Sequence, residues 1–100
     1  MTDTLRFCIP ATHPALPGHF PGSPIVPGAV IVDELLAAAQ AHDPRYGRCD
    51  LVQIRFLSPL RPDEMCTIDF DDCAKGLRFV CACADRKVAS GILARVENPT

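Results

Sequence analysis

Between residues 13 and 34 the chain carries, in order, two histidines, a run of glycines and prolines, a helix start and two adjacent carboxyl groups. From His13 to Gly28 it reads His-Pro-Ala-Leu-Pro-Gly-His-Phe-Pro-Gly-Ser-Pro-Ile-Val-Pro-Gly, and it runs on into an apolar segment holding Asp33 and Glu34. An imidazole, with an ordinary pKa of about 6.5, can take or return a proton near neutral pH. Glycine lets the backbone approach a bound group closely. The first amides of a helix have no acceptor within it and favour negative charge. A carboxyl group among valines, isoleucine and leucines is expected to have a raised pKa and so to keep a proton to give. Base, anion site and acid thus fall within one short stretch.

These groups need elements to hold them. Residues 4–10 alternate, with Leu5, Phe7 and Ile9 on one side, and predict a half-buried strand ended by Pro10. Half of the ten prolines fall between Pro14 and Pro27, which excludes helix and central strand there. From Gly28 to about Ala41 no further Pro or Gly occurs, and Val30, Ile31, Val32, Leu35, Leu36 and the alanines predict a helix apolar on most sides. Such a helix should be wrapped, shielding Asp33 or Glu34 from bulk water. His42-Asp-Pro-Arg-Tyr-Gly then reads as its exit and a loop.

The second half predicts strands at Leu51 to Phe56, Met65 to Asp71, Leu77 to Ala84 and Val88 to Val96. Val52/Ile54/Phe56, Cys66/Ile68/Phe70 and Phe79/Cys81/Cys83 are expected to line single faces. The expectation is an α+β chain, a single domain over residues 1–100, with a strand, an irregular loop, one buried helix and a four-strand antiparallel meander.

Composition narrows the function classes. Hydrophobic residues make up 48% and charged residues 22%, an ordinary globular balance. A net charge of −2 with dispersed Lys and Arg provides no basic face for nucleic acid. No apolar run reaches the roughly 18 residues of a membrane span, and no secretion signal is recognised, so the expected compartment is the cytoplasm. There the six cysteines are expected to be reduced, with Cys66, Cys81 and Cys83 serving as small core hydrophobes.

The run from His19 to Asp33, His-Phe-Pro-Gly-Ser-Pro-Ile-Val-Pro-Gly-Ala-Val-Ile-Val-Asp, resembles the active-site motif of the 3-hydroxyacyl-[acyl carrier protein] dehydratases. Those are hot-dog proteins, in which an antiparallel sheet wraps a central helix. Arg55-Phe to Pro62-Asp, and the hairpin from Lys75-Gly-Leu to Lys87-Val, follow the same family order. The resemblance implies dehydration of a 3-hydroxyacyl thioester to its trans-2-enoyl product, without metal, nucleotide or other cofactor. His19 would be the general base, the Gly28 N–H would polarise the thioester carbonyl, and Asp33 would protonate the departing hydroxyl. Phe20, Pro21, Gly22, Pro27 and Ala29 would line the substrate.

The resemblance also implies a homodimer in which the histidine of one subunit works with the acid of the other. The substrate would ride on an acyl carrier protein or coenzyme A, an acidic carrier docking on basic residues drawn from Arg45, Arg48, Arg78 and Lys87. Short members are similar to dehydratases of polyene and polyketide-like pathways. Family members usually carry Gln one turn after the acid, where this chain has Ala37.

Other readings attach to the same residues. Glu34 is the alternative acid, and His13 and His42 are expected to be structural, as a turn residue and a cation near the negative helix end. Asp69, Asp71 and Asp72 lack calcium-loop order. The Pro-x-x-Pro spacings fit a polyproline ligand, but interrupting glycines weigh against one. Rival functions are an inactive hot-dog protein that binds acyl chains or pairs with a catalytic homologue, and a thioesterase on the same fold.

Overall fold

The computed structural model describes residues 4–13 and 25–96. Its elements are β1 (Thr4–Cys8), α1 (Gly28–His42), a 3-10 turn (Pro44–Gly47), β2 (Cys49–Phe56), β3 (Met65–Cys73), β4 (Gly76–Cys83) and β5 (Arg86–Arg95). The strands form one antiparallel sheet in the order β1-β3-β4-β5-β2. The expected four-strand meander is therefore corrected to three strands, β3-β4-β5. Residues 57–64 are too long for a tight hairpin, and they let β2 cross to the free side of β5.

Period-two alternation sends Cys66, Ile68 and Phe70 of β3 and Leu77, Phe79, Cys81 and Cys83 of β4 to one face, where all are buried. Val30, Ile31, Leu35 and Ala39 of α1 are buried in the same core, with Tyr46 and Leu60. The β2–β5 register shifts between Leu51 and Gln53. That irregularity takes Val52, 48% exposed, out of the expected Val52/Ile54/Phe56 face, while Ile54 packs against the core and Phe56, 52% exposed at the strand end, meets Gly28 of the helix. Gly91 is required where β5 passes β2, because a Cβ there would collide with the Gln53 carbonyl oxygen and the Phe79 ring.

Among the described residues the helix is covered on one side only. Ala29, Asp33 and Ala37, spaced four residues apart on one stripe, are exposed, so the expectation of a fully wrapped helix does not hold for the single chain. The helix ends at His42, whose ring stacks on Phe70 at 4.9 Å. The His13 amide donates to the Pro10 carbonyl at 3.0 Å, closing a turn.

Candidate active site

Pro27 sets the helix start. Its φ of −60° and ψ of 145° are extended, and its carbonyl accepts from the Val30 and Ile31 amides at 3.0 and 3.3 Å. Proline has no side-chain acceptor, and no side-chain cap is made. The helix itself therefore provides no acceptor for the Gly28 and Ala29 amides, and there is no acidic residue in the first turn to neutralise its positive end.

Gly28 opens on a cavity of about 540 Å³ whose other walls include Ile25, Val26, Ile31, Phe56, Leu57 and Leu60. The Phe56 ring points at Gly28 tip-first, its Cζ 3.0 Å from where a Cβ would stand. Val26 and Leu60 are fastened to each other by an amide-to-carbonyl bond of 2.7 Å. The loop behind them is held from β5: Arg86 donates to Glu64 Oε1 at 3.0 Å, to the Pro59 carbonyl at 3.1 Å and to Ser58 Oγ at 3.2 Å. Arg86, followed by the Arg61 amide at 2.8 Å, holds the Glu64 carboxyl down at about 2.

His19, Phe20, Pro21 and Gly22 lie outside the described residues. Pro27 is half-buried at the helix entry and Ala29 is exposed beside Gly28. Asp33 follows Gly28 by five residues, which turns it roughly 140° around the axis and about 7.5 Å along it. It is exposed on the open stripe and does not line the Gly28 cavity, so among the described residues the apolar surroundings expected for it are absent. Glu34, half-buried, lines a separate depression with Leu5, Phe7 and Ile68. One chain thus brings together Gly28 and an apolar cavity, while both candidate acids face elsewhere.

The basic residues divide in the same way. Arg78 and Lys87 line a depression on the outer sheet face with Arg55, and Leu57 belongs both to that depression and to the Gly28 cavity. Asp71 stands opposite Arg78 across the β3–β4 ladder. Arg45 is engaged with Asp43 at 2.8 Å near the far end of α1, and Arg48 lines a depression beside the helix's second half.

The thiols of Cys66 and Cys81 are packed in the core, while that of Cys83 donates to Glu64 Oε2 at 3.5 Å. Burial pushes Cys81 up to about 11 and Cys66 upward as well, so both are neutral at pH 7. Among the described residues no group of three or more His, Cys, Asp or Glu side chains could hold a metal ion, and no helix is long and apolar enough to cross a membrane.

A family model described as ApeI-like, ApeI dehydratase, matches residues 2–92. The chain belongs to that dehydratase family. The chain is also similar in fold to the dehydratase heterocomplex ApeI:P from Xenorhabdus doucetiae, with a TM-score of 0.74 and 21% identity over 94% of this chain and 88% of that one. An uncharacterised protein from Erwinia carotovora subsp. atroseptica superposes with a TM-score of 0.76 and 19% identity, over 95% and 82% of the respective chains. Both likenesses agree with the hot-dog arrangement of one helix packed against a five-stranded antiparallel sheet. No curated protein matches the chain in sequence.

Sequence reasoning placed Gly28 but missed Phe56 as its cover and Arg86 as the clamp on the cavity loop. Phe56 is legible in the sequence as the end of an apolar strand face, but its meeting with Gly28 has no local marker. No local signal marks Arg86, since its partners lie 22 to 28 residues away.

Proposed function

We propose that this member of the ApeI-like dehydratase family removes water from a 3-hydroxyacyl thioester carried by an acyl carrier protein, giving the trans-2-enoyl thioester. The observation that carries the reading is the uncapped first turn of α1 opening on an apolar cavity, beside which an acyl thioester would present its carbonyl oxygen to the Gly28 N–H. His19 takes the α-proton, and charge builds on the thioester oxygen bonded to Gly28 N–H. Asp33 then protonates the hydroxyl at the β-carbon, which leaves as water while the α–β double bond forms. Removing one such oxyanion donor in other enzymes costs roughly 3 to 4 kcal/mol of transition-state stabilisation.

The acid comes from a second subunit. Because Asp33 faces away from its own Gly28 cavity, the site is completed when a partner's helix presents its open stripe to this one. The surface that such a partner would cover adjoins β2 through the depression that Ala37 shares with Cys49, and β2 is an edge strand whose Leu51 and Val52 are 36% and 48% exposed. The partner is a second copy, or a homologue as in the ApeI:P heterocomplex. Arg55, Arg78 and Lys87, adjoining the cavity through Leu57, form the face for an acidic carrier.

The test is to incubate the chain with a 3-hydroxyacyl carrier-protein thioester while following enoyl product and free thiol. Enoyl formation abolished by His19→Ala is expected, and Asp33→Asn should lower turnover at least roughly a hundredfold. Mixing the two variants should restore activity, since one hybrid site then has both groups. Free thiol in place of enoyl would point to a thioesterase. Neither product would leave an acyl-binding or partner subunit.

A further inference from the structure

The cavity beside Gly28 has one wall unlike the others. Val26 and Leu60 are buried and bonded to each other through their backbones. The Leu57 and Ser58 amides both donate to the Val88 carbonyl, at 2.8 and 3.4 Å. The Ser58 hydroxyl donates to the Lys87 carbonyl at 2.7 Å and accepts from Arg86, so its polar atom is already engaged. Val26 and Leu60 are thus fixed and apolar, while Leu57, 48% exposed, is held by its backbone alone.

Phe56 is held differently. Its backbone is paired with Ala89 at the end of β2, yet its ring is 52% exposed and meets Gly28 with its tip. A half-exposed ring has few neighbours to hold it in one rotamer, so it can swing while the strand stays in place. Its resting position also explains the glycine: a side chain at residue 28 would reach the ring at 3.0 Å, tighter than ordinary contact. The ring therefore lies over the residue whose amide would hold the thioester oxygen.

We infer that Phe56 is the residue that selects acyl length at this site, a ring seated on Gly28 that closes the apolar cavity to all but short chains and must turn aside for longer ones. Short chains pack against the ring. Longer chains have to displace it before their thioester reaches the Gly28 amide. The inference rests on the proposed function only in taking the ligand to be an acyl thioester.

Binding, not turnover, decides it. Saturated butyryl and decanoyl N-acetylcysteamine thioesters, which cannot be dehydrated, are titrated into the isotope-labelled full chain and followed by amide NMR. Phe56→Ala should raise the preference for decanoyl over butyryl at least about tenfold, the scale of pocket discrimination by a few methylenes, and both ligands should move the Gly28 amide resonance. Phe56→Leu, which keeps most of the volume should the alanine variant not fold, should fall between. The same ratio in wild type and variants overturns the inference, as does a Gly28 resonance that neither ligand moves. The 3-hydroxy analogues are assayed in parallel: their failure to give enoyl product would overturn the dehydration reading, while the binding ratios still judge Phe56.

Discussion

Strands β3 and β4 bury every inward side chain, with Phe70, Phe79, Cys66 and Cys81 at 0 to 1% exposure, whereas β2 in the same sheet leaves Leu51, Val52 and Phe56 at 36 to 52%. Both regions are apolar and both alternate, so composition does not separate them. Width does. A helix with side chains is about 10–12 Å across, while five strands at about 4.8 Å spacing span roughly 19 Å between the outermost backbones. One helix covers part of that face and leaves an edge. The candidate chemistry sits at this boundary, where the first turn of α1 meets the end of β2 at Gly28 and Phe56. A sealed core provides rigidity, and an open edge provides room for a substrate and a second subunit.

The comparison can be broken by truncating one aromatic on each side. Phe79→Ala should destabilise by about 3–5 kcal/mol through loss of burial and the cavity left behind. Phe56→Ala should cost about 1 kcal/mol or less, because its ring is half in water already. Urea unfolding at one fixed protein concentration checks both, and equal losses would erase the distinction between the two regions.

The glycines give a second contrast. Gly91→Ala forces a methyl group against the Gln53 carbonyl and the Phe79 ring, and a loss of about 2–3 kcal/mol is expected from overpacking. Gly28→Ala meets only the tip of a ring that can turn, so stability should change by less than about 1 kcal/mol. Enoyl formation should nonetheless fall about tenfold or more, since a small misplacement of the carbonyl is costly to rate. Thermal melts together with the dehydration assay separate the two effects.

Glu64 sharpens the boundary electrostatically. Its folded-state pKa is depressed from 4.5 to about 2, chiefly by the hydrogen bond from Arg86. The stabilisation is therefore fully present above pH 4.5 and is lost as pH falls toward 2. After solvent screening it should amount to about 1 kcal/mol. Glu64→Gln should flatten stability in that window, measured by urea midpoints at several pH values. Unchanged pH dependence would mean that the Arg86 clamp does not hold the cavity loop.

The smallest effect on stability is expected at the edge itself. Val52→Lys should alter the unfolding free energy by about 0.5 kcal/mol or less, as for other exposed positions. It should nevertheless shift sedimentation toward monomer and reduce turnover, because the β2 edge would then carry a charge into the proposed subunit contact.

Much of this was legible from local pattern. The strand alternations, the Pro/Gly entry, the helix from Gly28 and the inward Cys66, Cys81 and Cys83 all depend on near neighbours in the chain, where backbone periodicity and proline geometry act. The position of β2 was not, because strand order depends on which sheet edge a long connection reaches. Nor was the placement of Val52, since a register shift has no marker in a run of strand-forming residues.

Local residue order is enough to put a glycine at the start of an apolar helix, after a histidine-bearing Pro/Gly segment and before two acids. It takes the folded chain to set Phe56 over that glycine, to fasten the loop behind it with Arg86 and to leave Asp33 outside the cavity. The reason is physical. Helix starts are set by backbone geometry over a few residues, whereas contacts between residues 28 and 56, or 64 and 86, exist only after loop closure brings distant segments together.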